Sequence, residues 1–211
     1  MPAARSENVE EAGTTKGERT AARILDAAEA VFAESGFQGA SLREIARRAG
    51  IQQPGLYNHF ASKRDLYAAV LDRALTPMTE AMADAIEDAH GSRTLERLLT
   101  AVTDVLLEHP QMAALFQQAL HDGDTPGQEL MRDWLDRLLA QGVETARSAT
   151  REPVDRAQLA IGVVAMFNVT TGYFLSQRAL DSLGVGALDD PANVARQKAL
   201  LERVGPAAMR R

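Results

Sequence analysis

The stretch REIARRAGIQQPGLYNHFASK, Arg43 to Lys63, decides how this chain is read. Its left half predicts a short amphipathic helix. Leu42, Ile45, Ala46 and Ala49 recur at three- and four-residue steps, and Ser41 followed three residues on by Glu44 predicts a capping box. Gly50 predicts the turn, since glycine adopts a left-handed backbone without steric cost. The right half predicts a second short helix with Pro54 in its first turn, where a missing N–H costs nothing, anchored by Ile51, Leu56 and Phe60. Ser62, with Asp65 at the boxed position, then caps a further helix, so Lys63 falls in a first turn whose amides favour a phosphate.

Upstream, Ile24, Leu25, Ala28, Val31 and Phe32 share one face of a helix over about 20–34, and Gly36 is its expected stop. Two short helices joined by a tight glycine turn and braced by a longer one form the helix-turn-helix pattern, whose second helix can enter a major groove. Downstream, the helix from Ser62 carries Leu66, Val70, Leu71, Ala74 and Leu75 and meets Pro77, which predicts a kink or a restart. Further helices are expected over about 92–108, 110–121, 126–149, 153–179 and 190–205, with capping signals at Thr125, Pro126 and Gln128 and at Asp190 and Pro191. No convincing alternating strand is found. The expected architecture is all-α, about nine helices: a disordered arm over 1–18, a three-helix helix-turn-helix domain over 19–66 and a larger helical domain over 67–211.

Charge sharpens this reading. The formal net charge is −6, yet residues 1–75 carry 10 basic and 10 acidic groups, so the whole excess lies in 76–211. Within 36–65, Arg43, Arg47, Arg48, Lys63 and Arg64 face only Glu44 and Asp65, a local excess of +3 suited to a phosphate surface. The arm is a poor groove binder, with Arg5 and Lys16 against Glu7, Glu10, Glu11 and Glu18.

Composition removes several classes. With no cysteine there are no disulfides, thiolate metal sites or cysteine nucleophiles. The N-terminus lacks the apolar core of a signal peptide, and the apolar run Leu159 to Phe167 is broken by Asn168, so a cytosolic protein without a membrane partner is expected. The only cluster resembling metal ligands is His121, Asp122 and Asp124 in HDGD, a composition that turns favour for backbone reasons. His90 and His109 stand singly at helix ends. An enzyme is therefore the weakest reading, and no cofactor is expected. A helical adaptor that binds only protein would leave the basic turn and its donors unexplained.

The segment Arg23 to Leu71, through AAEAVFAESGF, IARRAGI and GLYNHFASK in order, resembles the DNA-binding domain of the tetracycline-repressor (TetR) family. The resemblance implies a cytoplasmic, homodimeric, ligand-responsive transcriptional regulator, most readily a repressor, on an inverted-repeat operator in double-stranded DNA. A regulator that needs no ligand is the alternative. By family position and chemistry, Arg43 and Gln53 are the base-reading candidates, since arginine forks onto guanine and glutamine onto adenine. Ser41, Tyr57, His59 and Lys63 are candidate phosphate positioners. Gln52, Pro54, Gly55 and Asn58 complete the recognition surface; Gln52 stands where many relatives have serine, and Gly55 offers no side chain to a thymine methyl.

For 67–211 the resemblance is architectural and implies ligand binding and dimerisation. Candidate lining residues for a small-molecule effector are Met112, Phe116, Met131, Trp134, Met166, Phe167, Tyr173 and Phe174, with His121, Asn168 and Tyr173 to orient it. The same residues also suit an ordinary core, and both readings stand at this point. The segment AQLAIGVVAMFNVTTGYF, Ala157 to Phe174, is apolar on more than one face, and Ala160, Gly162 and Ala165 permit close helix approach. The last two long helices are thus the expected dimer seam.

Overall fold

The computed structural model describes residues 15–87, 94–121, 126–149 and 155–208. Among them are ten helices and no strand: α1 (Lys16–Gly39), α2 (Leu42–Arg48), α3 (Gln53–Leu56), α4 (Lys63–Glu87), α5 (Thr94–Glu108), α6 (Gln111–His121), α7 (Pro126–Ala149), α8 (Arg156–Phe174), α9 (Gln177–Ser182) and α10 (Pro191–Ala208). Residues 1–14, most of the expected arm, lie outside the described residues, as do His90, Asp122, Asp124 and Thr125.

Local chemistry accounts for several helix ends. α1 starts a turn earlier than the apolar period indicates. The Thr15 side chain accepts the Glu18 N–H at 3.2 Å, and the Glu18 carboxylate accepts the Thr15 N–H at 2.6 Å, a complete capping box in the stretch expected to be disordered. Gly36 takes φ 64° and breaks the helix, although one more turn follows before Ala40. Gly50, φ 66°, ends α2: Ile51 N–H reaches Ala46 C=O and Gly50 N–H reaches Arg47 C=O, the paired bonds of a Schellman closure. Ser62 caps α4 as predicted, its Oγ accepting the Asp65 N–H at 3.1 Å, but the Asp65 carboxylate accepts from the Ser62 hydroxyl at 2.7 Å rather than from its N–H, so the box is half formed.

Two expectations are corrected, and one of the two alternatives left open at Pro77 is removed. Ser41 makes no side-chain cap, and the Glu44 carboxylate, which a capping box would turn back to the Ser41 N–H, is taken by Arg47 and Arg48. α4 runs through Pro77 rather than restarting; Thr76 and Thr79 hydroxyls donate to the Asp72 and Leu75 carbonyls, and α5 and α7 pack along the helix. The segment 153–179 is two helices, α8 and α9. α8 closes with Leu175 N–H to Gly172 C=O and Ser176 N–H to Tyr173 C=O, while the Ser176 hydroxyl caps Gly172 C=O and competes with continuation.

One continuous core runs from Ile24, Phe32 and Ile45 through Leu56, Tyr67 and Leu71 to Met112, Phe116 and Met131. α1 packs on α2, α4 and α6, and α4 on α5 and α7, so the N-terminal three-helix unit sits directly on the larger bundle. α8 is long and apolar enough to cross a membrane by length and composition, with mean hydropathy 1.3. Here it packs on α5, α6, α7 and α10. Gln197 reaches the Val169 carbonyl and Leu201 shares a cluster with Met166, so α10 runs antiparallel to α8.

Candidate nucleic-acid interface

α2, the Gly50 turn and α3 carry the sequence-predicted DNA-facing residues, and burial separates them from their supports. Ile45, Ala46 and Leu56 are buried, whereas Ser41, Arg43, Gln52, Gln53, Pro54, Tyr57, Asn58 and His59 are exposed and Gly55 is half-buried. Tyr57 is 53% exposed, so most of its ring is not spent on packing against the first helix. Phe60 is half-buried against the core.

Electrostatics divide the arginines. Glu44 accepts from Arg47 at 2.6 Å and from Arg48 at 2.8 Å, and Arg48 also forks onto Glu34 with both bonds at 2.8 Å. Arg43 enters no ion pair among the described residues, so its guanidinium is available without breaking one. The hydrogen bonds from Arg47 and Arg48 pull the Glu44 carboxyl from its ordinary 4.5 down to about 2. Because the folded value is depressed, this carboxylate's contribution is present above pH 4.5 and lost as pH falls through about 2. A carbon-detected titration of the Glu44 carboxyl is expected to show its midpoint near 2; a midpoint near 4.5 would mean that the fork does not persist in solution.

Lys63 is held rather than free. Its ammonium lies 4.9 Å from the Phe37 ring centroid and donates to Gln38 C=O at 3.3 Å, and partial burial lowers its pKa. Arg64 turns the other way and pairs with Glu129 of α7 at 2.8 Å.

The ten ligand candidates fall elsewhere. Phe116, Trp134 and Phe167 form an aromatic triad with centroids 6.0 to 6.5 Å apart. With Met112, Met131 and Phe174 they are buried in the main core, while Met166 is buried with Leu99 and Leu201. Trp134 Nε1 donates to the Thr79 hydroxyl, and Tyr173 OH donates to Leu188 C=O. Asn168 is exposed and donates to Val164 C=O; His121 is exposed with Nδ1 2.7 Å from Gln117 C=O. None of the ten lines the cavity of about 500 Å³ between α6, α7 and α8, whose wall includes Leu135, Leu139, Val163 and Val164 and whose polar edge carries Glu129, Arg132 and Asp136. The signal for this wall was a second stripe on α7, Gln128, Arg132, Leu135 and Leu139, displaced from the Met131–Trp134 stripe that faces the core.

Residues 24–70 match the family model for bacterial regulatory proteins, tetR family. The chain is 40% identical over 80 residues to the HTH-type transcriptional activator FasR of Mycolicibacterium smegmatis, covering 38% of this chain and 36% of that one. It is 43% identical over 93 residues to the HTH-type transcriptional repressor Rv3405c of Mycobacterium tuberculosis, covering 40% and 49%. The chain thus spans about a third to a half of the length of these curated relatives. A TetR-like transcriptional regulator from Rhodococcus sp. RHA1 superposes with a TM-score of 0.63 at 24% identity, over 88% of this chain and 94% of that one, a likeness of fold.

Proposed function

We propose that this chain, whose N-terminal domain belongs to the TetR family of bacterial regulatory proteins, is a dimeric transcriptional repressor that leaves an inverted-repeat operator when a small effector binds. The observation that carries the DNA-binding half is the division of charge on the α2–α3 face. In an acidic chain, the acidic groups beside this face are consumed by Arg47 and Arg48, while Arg43 and the exposed donors Gln53, Tyr57 and His59 remain open. Arg43 and Gln53 read bases in this proposal, and Ser41, Tyr57, His59 and Lys63 position the backbone, with Gln52, Pro54, Gly55 and Asn58 around them. Footprinting on the gene's own promoter tests it: a protected inverted repeat with half-sites about one turn, ~34–36 Å, apart is expected. Equal affinity for promoter and random DNA at every salt concentration would defeat it.

The effector half rests on the α6–α7–α8 cavity, whose size lies within the ~300–1,000 Å³ common for small-molecule sites. Its leucine and valine wall and charged edge suit a molecule with an apolar body and one polar end, which refines the expectation of a largely apolar effector. Trp134, the single tryptophan, lies on α7 between the lining residues Arg132 and Leu135. Titration with lipophilic metabolites is expected to change its fluorescence and to release operator in the same concentration range. Binders that leave operator affinity unchanged would remove the switch and keep the DNA-binding reading.

A further inference from the structure

The first turn of α7 lies between the effector cavity and the DNA-facing domain, and one contact there admits no added methyl group without a shift of its partner. A methyl group on Gly127 would stand 2.6 Å from Tyr67 Cε1, 2.9 Å from its hydroxyl and 3.0 Å from Cζ. Tyr67 is fully buried, with its centroid 4.6 Å from that of Phe32 and 5.1 Å from that of Phe37. Phe37 is the ring under the Lys63 ammonium, and Lys63 also reaches the Gln38 carbonyl. The residues that follow Gly127, namely Gln128, Glu129 and then Arg132, line the cavity. Pro126 begins the helix, and its ring fixes φ at the first helical position.

We propose that Gly127 and Tyr67 are positioning residues: their contact is the joint through which the state of the cavity sets the orientation of the α1–α3 unit, although neither touches DNA or effector. This rests on the effector-responsive reading above. The neighbouring Arg64–Glu129 pair is a weaker candidate for the same task. Both side chains are more than half exposed, and exposed pairs of this kind change an equilibrium by only about 1.4- to 5-fold. A glycine packed on a trapped ring is different in kind, because a shift of the turn must move the ring or open a gap.

The test uses the full chain with Gly127→Ala, Tyr67→Leu and the double variant. Without DNA, Gly127→Ala is expected to speed amide exchange at 36–42 and 62–67, across the joint from the substitution, and the double variant to restore it. With operator, Gly127→Ala is expected to lower affinity about 10-fold and the double variant to recover most of the loss, a coupling within the range found for residues that touch neither ligand. Should Tyr67→Leu fail to fold, Tyr67→Phe, which removes the 2.9 Å contact alone, takes its place with a smaller recovery. Faster exchange confined to α7, or simple additivity of the two substitutions, overturns the joint. Absence of any operator binding by the unsubstituted protein overturns the functional reading instead, and the exchange arm still decides the joint.

Discussion

Ile161→Asp is expected to separate the two copies of the chain and, with them, the operator complex. Ile161 is 65% exposed on α8, although that helix is, among the described residues, the one long and apolar enough to cross a membrane. Val169 on the same helix and Leu200 and Val204 on the antiparallel α10 are also exposed. In the proposed two-fold dimer this face meets its own image, so each substitution occurs twice. An unpaired carboxylate buried there costs about 2 kcal/mol or more per copy. Doubled, that raises the dimer dissociation constant about 1,000-fold. Sedimentation should then find monomer at micromolar concentration, with operator affinity falling at least as steeply, because a monomer holds only one half-site. A variant that remains dimeric would move the seam away from α8 and α10.

Arg43→Ala should produce the second large effect, and one that differs in kind from Lys63→Ala. A bidentate arginine–guanine pair is worth about 1–3 kcal/mol of discrimination, so each half-site should lose that amount and one base position should relax. The available guanidinium of Arg43 is the reason for choosing it over Arg47, which already forks onto Glu44. Lys63→Ala should instead weaken operator and random DNA alike and reduce the salt slope by about one unit per half-site. Competition binding at two or more salt concentrations separates these outcomes. Equal losses on all DNA from both variants would refute the division of roles, and full binding by both would refute the interface.

The elements of this interface were legible early because local rules govern them. A helix boundary set by Gly50, Pro54 or the Ser62 cap depends on backbone preference and on hydrogen bonds spanning three or four residues. The Ser41–Glu44 box obeyed the same rule and still did not form. There, two arginines on the next turn offered the carboxylate stronger, charge-assisted partners than one amide. The early start of α1 at Lys16 is not marked by the apolar stripe, because the Thr15–Glu18 capping box lies ahead of it, where periodicity carries no signal.

For the bundle, the sequence by itself determined that α5 to α8 and α10 are helices and that α8 is apolar on several faces. It could not determine which methionines and aromatics close-pack and which faces leave space. Phe116, Trp134 and Phe167 were equally suited to wall or core, and they became core because helices α6, α7 and α8 bring them within 6.5 Å of one another. The cavity formed one stripe further around α7, where Leu135 and Leu139 meet Val163 and Val164 of α8. Gly127 shows the same division at one position. Nothing local to the residue marks it, and only the arrival of Tyr67, sixty residues earlier in the chain, leaves no room for an added methyl group without a shift of the ring. Hydrogen-bonded turns close over a few residues and are encoded there; packing is a relation between distant residues, decided when the helices meet.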